Sequence, residues 1–555
     1  MNGRADLVFQ NGAVYTVDAT RRWAHAVAIR DGRIIAVGTD AEIEDLVGSR
    51  TERVDLRGRM LLPGFQDAHV HPVLGGLDML RCDLHDLSTA DEYIRAIRDY
   101  AERRPAGEWI LGGGWSMDAF AGGTPTRDLL DGVVSDRPAF LPNRDGHGAW
   151  VNSAALKRAG ITRETPDPAD GRIERDSLGE PSGTLHEGAQ DLVGDLVPPA
   201  AEDELREALL TGQSHLQSLG ITAWQDAIVD AGEWANNYDT YLRAAIAGDL
   251  TARVIGALWW DRHRGTEQIE DLLERRAVGR AGRFSATSVK IMQDGVCENF
   301  TAAVLDPYLG ADGRPTRNRG ISFVEPALLN MAVTRLDAEG FQVHFHALAE
   351  RAVREGLDAI DSARRANGPN DLRHHLAHLQ VIHPDDIPRF RRIGATANIQ
   401  PLWAAHERQM DELTIPFLGE PRWRWQYPFA SLVRSGASLA MGSDWSVSSA
   451  NPLEEIHVAV NRRMPPEYPY GVDSNEVFLP DERLDLPTAI AAFTIGSAYV
   501  NHLDDSTGSI EAGKLADIVV LDRNIFEEPP DEIASATVEL TMIEGERVYA
   551  AGDFG

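Results

Sequence analysis

Between residues 61 and 504, short apolar runs alternate with amphipathic stretches of helical period, and this alternation restricts the architecture more than any other feature. Phe341-Gln342-Val343-His344-Phe345-His346 has the period-2 pattern of a strand. After it, Ala349, Val353, Gly356, Leu357 and Ile360 recur at helical spacing, so the pair reads as one βα unit. Similar strands fall at 62–69, 221–226, 253–258, 288–292, 341–346, 373–378, 395–400 and 438–444. Eight such units predict a closed (β/α)8 barrel, an α/β fold whose active site lies at the C-terminal ends of its strands.

The two chain ends read differently. Asn11-Gly12 separates the runs 7–10 and 13–17, Asp31-Gly32 separates 26–30 and 33–37, and Glu544-Gly545 separates 540–543 and 547–549. Such pairs supply the positive φ of tight hairpin turns. Neither end is long enough to bury a core alone, so residues 1–60 and 505–555 are expected to form one β-sandwich. Residues 61–84 and 201–504 then make the barrel. The Gly-, Asp- and Pro-rich stretch 85–200 is too long for a plain loop and is expected to be an insertion subdomain over the barrel mouth.

Composition narrows the function classes. The 555 residues carry 54 Lys and Arg against 86 Asp and Glu, a formal charge of −32. A surface this acidic repels phosphate backbones and anionic leaflets, so neither nucleic acid nor membrane is an expected partner. Two cysteines, Cys82 and Cys297, make no disulfide framework. With no signal-like apolar segment and no apolar run of membrane-spanning length, the expected location is cytoplasmic.

The first barrel strand ends Asp67-Ala68-His69-Val70-His71, which places Asp67, His69 and His71 on one face. Two histidines so spaced can grip one metal ion, although satisfied structural histidines show the same pattern. Four further strand ends carry a potential ligand: Lys290, His346, His378 and Asp444. Each has a plainer alternative: a surface lysine, core histidines, a helix cap. Together, at the end of the barrel where active sites form, imidazoles and a carboxylate are the donor set of zinc or a similar divalent metal.

The chain resembles the amidohydrolase superfamily, and within it the YtcJ-like branch that includes N-substituted formamide deformylases. The matching stretches are LLPGFQDAHVHP (61–72), VKIMQDG (289–295), VHFHALAERAV (343–353), RHHLAHLQV (373–381), NIQP (398–401), MGSDW (441–445) and GSIEAGKLADIVVLD (508–522). RDGHGAWVNSAAL (144–156) and GEPSGTL (179–185) are similar to that branch specifically. The resemblance implies His69, His71, His346, His378 and Asp444 as residues of a site for one or two divalent ions, zinc foremost. It also implies Lys290 as a carboxylated lysine bridging two ions. A bare ammonium there would be costly to bury, and the alternative is a one-metal site with Lys290 hydrogen-bonded beside it. One departure is Ala349-Glu350, where many relatives carry Gly-Asp.

The expected activity is hydrolysis of a C–N bond in a small amide, with Asp444, His378 and His147 as the catalytic set. Asp444 would serve as base and then acid, and His147 would contact the substrate or its oxyanion. Asp294 and His344 are expected to be packing or supporting groups. Trp115, Trp150, Trp403 and Trp445 could line a pocket or lock the insertion in place, and Arg144 and Arg373 could hold a carboxylate or form structural ion pairs. Alternatives are a deaminase, for which Glu350 is poorly placed as a shuttle, an ester or lactone hydrolase, and an inactive scaffold. A homodimer is expected by analogy with the superfamily.

Overall fold

The computed structural model describes residues 3–105, 107–232, 236–466, 468–471 and 476–554. Eight parallel strands form the central barrel: β1 (Phe65–Val70), β2 (Ile221–Val229), β3 (Arg253–Trp259), β4 (Phe284–Met292), β5 (Gln342–Ala347), β6 (His375–His378), β7 (Thr396–Ile399) and β8 (Ser438–Met441). Each pairs in parallel with the next in the series. β8 and β1 share no regular ladder. The last gap is bridged by Asp444 N–H donating to His69 O at 2.8 Å, while Asn398 on β7 reaches β1 through its Nδ2 amide, which donates to Ala68 O at 2.9 Å. Gly442 permits this approach, because a Cβ there would lie 2.5 Å from His69 N.

The helices cover the barrel as their periodicity requires. Glu350–Asn367, after β5, buries Val353, Gly356, Leu357, Ile360 and Ala363 along one stripe. The apolar residues of β1 (Phe65, Ala68 and Val70) and of β5 (Val343, Phe345 and Ala347) are fully buried.

The chain ends build two packed sheets, and strands from both ends share the second. One sheet runs in the order Arg33–Gly38, Ala26–Arg30, Leu7–Gln10, Glu52–Asp55. A second runs Glu546–Ala550, Val538–Ile543, Ile518–Leu521, Met60–Pro63, Ala13–Tyr15, Trp23–Ala24. Leu7, Phe9 and Ile29 of the first meet Leu61, Ile518, Val520 and Leu540 of the second in one buried cluster. The alternate residues Val519 and Leu521 face the barrel core instead. Ile518–Leu521 is therefore buried on both faces, which explains its unbroken apolar run.

Asp31-Gly32 and Glu544-Gly545 turn true hairpins, with φ of +51° and +71° in the first and +51° and +76° in the second. Asn11-Gly12 does not. Leu7–Gln10 and Ala13–Tyr15 lie in different sheets, so this pair is a crossing point between sheets rather than a hairpin turn. Asn11 still takes the positive φ, +55°, that its type tolerates.

Residues 82–187 contribute a further sheet, in the order Gly171–Arg175, Pro181–Glu187, Gly148–Val151, Ala139–Pro142, Ile110–Gly113, Cys82–Asp83. Trp115, Trp150, Tyr93 and Phe120 fill its core. Among the described residues, no helix is long and apolar enough to cross a membrane.

Candidate metal centre

Side chains from five strand ends converge where β1 meets β8. His69 lies on β1 and His71 just beyond it, where the chain enters the helix Pro72–Leu80. Asp444 follows β8, and its Oδ1 lies 2.8 Å from His71 Nε2 and 3.2 Å from His69 Nε2. His378 ends β6, with Nδ1 3.8 Å from Asp444 Oδ2. Lys290, from β4, places Nζ 3.3 Å from His69 Nε2. The His346 ring, from β5, is centred 4.5 Å from that of His378. The structure thus brings His69, His71, Lys290, His346, His378 and Asp444 into one buried cluster.

His378 and Asp444 adopt the left-handed backbone region, with φ of +77° and +56°. Such a conformation costs a non-glycine residue of the order of 1–3 kcal/mol. It is held by His378 N–H donating to Gln400 Oε1 at 2.7 Å and by the Asp444 N–H bond to β1. Both strained residues aim their side chains into the cluster.

The electrostatics favour lone pairs over protons. Burial pushes His69, His346 and His378 well below the ordinary imidazole value, reinforced by Lys290 at His69 and by the neighbouring rings at the other two. Burial would raise Asp444, but His69, His71 and His378 outweigh it and hold the carboxyl well below its usual range. Burial lowers Lys290 to about 7, against the opposing pull of Asp444 and Asp226. Neutral imidazoles, an ionised carboxylate and a readily deprotonated amine fit a divalent cation. His71 Nδ1 and His378 Nδ1 are also buried, with no hydrogen-bond partner among the described residues.

His147, just before the strand Gly148–Val151, reaches the cluster with its ring centred 5.1 Å from that of His346. Glu187 grips His147 Nδ1 at 3.0 and 3.1 Å. Glu187 also accepts from Thr301 Oγ1 at 2.6 Å and Asn299 Nδ2 at 3.2 Å, and has a φ of +51°. Its charge outweighs burial and lifts His147 to about 9. Glu187 lies two residues beyond the GEPSGTL stretch, and the alternation of Leu185 and Glu187 was the available signal for an inward carboxylate.

Other residues singled out from the sequence have structural roles. Asp67 accepts from Ser443 Oγ at 2.6 Å and from His69 N–H at 2.9 Å, bracing the closure of the barrel. Asp294 accepts from the backbone N–H groups of Ala303, Leu348 and Ala349. Arg373 pairs with Asp371 and Asp504, and Arg144 with Glu407 while lying over the Tyr470 ring. Glu350 accepts from Leu305 N–H and faces Arg422. Trp115 and Trp150 fill the insertion core, whereas Trp403 stacks on His378 with ring centres 5.4 Å apart. A cavity of about 840 Å³ opens beside Trp445, walled by Arg144, His215, Glu454 and Tyr470, and none of the six clustered side chains lines it.

An α/β barrel with histidines and a carboxylate gathered at its strand ends has the donor set of a divalent-metal site. The sequence profile of the amidohydrolase family matches residues 52–549, and the chain belongs to that family. It is 32% identical to the protein LONG AFTER FAR-RED 3 of Arabidopsis thaliana, over 98% of this chain and 92% of that one. It is 30% identical to the amidohydrolase-family protein YtcJ of Bacillus subtilis, over 98% and 99%, and 28% identical to the N-substituted formamide deformylase of Arthrobacter pascens, over 100% and 98%. Among solved structures, a metal-dependent hydrolase of Pyrococcus horikoshii has the same fold, with a TM-score of 0.72 at 22% identity over 94% of this chain and 99% of that one.

Proposed function

We propose that this chain is a metal-dependent hydrolase that cleaves the C–N bond of a small amide, an N-substituted formamide or an N-acyl amine. The observation that carries the reading is the approach of one Asp444 oxygen to two imidazole nitrogens, 2.8 Å from His71 and 3.2 Å from His69. The similarity to a formamide deformylase supports the choice of an amide.

His69, His71, His346, His378 and Asp444 would hold the cation, zinc foremost, with Lys290 beside them. When bound, a divalent cation supplies Lewis acidity, which polarises a carbonyl and makes water ionisable near neutral pH. Lys290 has the amine chemistry for carboxylation: its neutral Nζ adds to carbon dioxide, one N–H proton leaves, and an anionic oxygen donor results. Asp444 takes the proton from the attacking water and delivers it to the leaving nitrogen as the C–N bond breaks. His147, held through Nδ1 by Glu187, offers Nε2–H to the carbonyl oxygen as it gains charge. Trp403 shields the face of His378 from water.

The partner is a small molecule. The −32 charge weighs against nucleic acid and anionic membranes, and a cytoplasmic homodimer is the form we propose. The test is a hydrolysis screen of zinc-loaded protein on N-formyl amines, N-acyl amines, esters and ring amines. Turnover of amides that is lost on Asp444→Asn is the expected result. Amide-inert protein that binds zinc would overturn the substrate class, and protein that binds no divalent metal would overturn the mechanism.

A further inference from the structure

Beneath the cluster, inside the barrel, lies a chain of neutral polar groups that the proposed reaction does not use: Gln342, Gln225, His344, His375 and Asn398. All are fully buried or nearly so. Its hydrogen-bond polarity is anchored at both ends by main-chain carbonyls, which only accept.

At one end, the Gln342 amide nitrogen lies 3.0 Å from Arg373 O and 2.8 Å from Val500 O. This fixes the amide, so Gln342 Oε1 must face Gln225 and accept from Gln225 Nε2 at 3.1 Å. Gln225 Nε2 also donates to Asn501 Oδ1 at 3.3 Å. Gln225 Oε1 therefore points the other way, 2.6 Å from His344 Nδ1 and 3.1 Å from His375 Nε2. An oxygen acceptor requires a proton on each of those nitrogens.

The other end gives the same answer independently. Asn398 Nδ2 is anchored on Ala68 O and lies 3.2 Å from His375 Nδ1. His375 Nδ1 is thus the acceptor, which leaves its proton on Nε2, facing Gln225.

His344 contacts Gln225, His69 and His375, and among the described residues no carboxylate is bonded to its ring. A charged ring there would be buried and uncompensated, so the imidazole is neutral. With its proton on Nδ1, His344 Nε2 is bare, and it lies 2.8 Å from His69 Nδ1. His69 must then carry its proton on Nδ1, and its Nε2 accepts from the Lys290 amine at 3.3 Å, although Asp444 Oδ1 lies 3.2 Å away.

We propose that Gln225, acting through His344, is a positioning residue that sets the tautomer of His69 and leaves the His69 Nε2 lone pair directed at the metal cluster. The inference rests on the reading of His69 as a ligand. The His69 ring is oriented before any metal arrives, so no proton must be moved or ring turned on binding. Gln225 touches neither the cluster nor substrate.

The test uses full-length protein with ¹⁵N-labelled histidine, metal-free and zinc-loaded. The His69 imidazole signals are assigned by their loss in His69→Gln. In metal-free wild type, Nδ1 is expected to be protonated and Nε2 bare. Gln225→Leu removes the acceptor; His69 should then show both tautomers, and zinc affinity, read by chelator competition, should fall about 10–100-fold. Metal-free wild type with the His69 proton on Nε2 overturns the proposal, whether or not Gln225→Leu folds. So does Gln225→Leu with wild-type tautomer and zinc affinity. Wild type that shows the Nδ1–H form yet takes up no zinc supports the relay and removes the metal reading instead.

Discussion

Asp444 Oδ1 and His71 Nε2 lie 2.8 Å apart although 373 residues separate them in the chain. Their meeting closes the barrel at its functional end, since Asp444 N–H also bonds β1 through His69 O. The same contact makes Asp444 the residue whose loss should separate chemistry from folding. Asp444→Asn is nearly isosteric and keeps the backbone bond. Steady-state turnover should fall by about 10²–10⁴-fold, the usual weight of a general acid–base, while the thermal transition stays close to wild type.

His147 and Glu187 act as one unit. Removing one oxyanion donor typically costs about 10²–10³ in kcat. His147→Gln should show that loss with unchanged zinc content. Glu187→Gln should lower kcat as well, and the double variant should be no worse than His147→Gln alone. Additive losses in the kinetic cycle would mean that the two side chains work separately.

Lys290 carboxylation has a direct spectroscopic readout. Protein prepared with ¹³C-bicarbonate should show a carbamate carbon resonance that is absent from Lys290→Ala. Elemental analysis of the same variant should show reduced metal content.

Removing the metal should destabilise the protein by mass action. A ligand at 100 times its Kd adds about 2.7 kcal/mol, so zinc-loaded protein should melt above chelated protein, and the gap should widen with added zinc. Calorimetry at several zinc concentrations measures this. His71→Ala should narrow the gap.

Away from the site, Asp337 accepts from His374 Nε2 at 2.8 Å, Asn367 Nδ2 at 2.8 Å and Asn370 Nδ2 at 2.9 Å. Burial opposes its ionisation, but these bonds prevail and lower it to about 2 from 3.8. A depressed carboxyl contributes stability above its unfolded pKa and loses it as pH falls through the folded one. That contribution, about 2 kcal/mol, is therefore complete above pH 4 and fades between pH 4 and 2. Denaturant melts across this window should show a smaller acid-induced loss in Asp337→Ala, from a lower starting stability.

The barrel was legible because its strands and helices carry different periods, and the βα unit at 341–360 shows both within twenty residues. The strand-end positions of His69, Lys290, His346 and His378 follow from that alternation. Sheet membership at the N-terminus was not legible. Asn11-Gly12 signals a positive φ, which a crossing between sheets uses as readily as a hairpin does, and nothing local says which neighbour the next strand will choose. Gln225 was hidden, and His344 was expected only as a packing or supporting group. A strand pattern marks them as inward polar residues, but their roles depend on carbonyls of Arg373 and Val500 that belong to distant segments. Glu187 required a partner, His147, 40 positions earlier.

The strand Ile518–Leu521 sits between Met60–Pro63 and Val538–Ile543. During synthesis the earlier strand therefore emerges long before its neighbour has been made. At about 5–20 residues per second, its edge waits of the order of 20–90 s, apolar and unpaired. A nascent chain of this kind depends on its last forty residues to cover a surface made in its first sixty. Premature termination near the C-terminus should thus yield an aggregating product rather than a shortened enzyme.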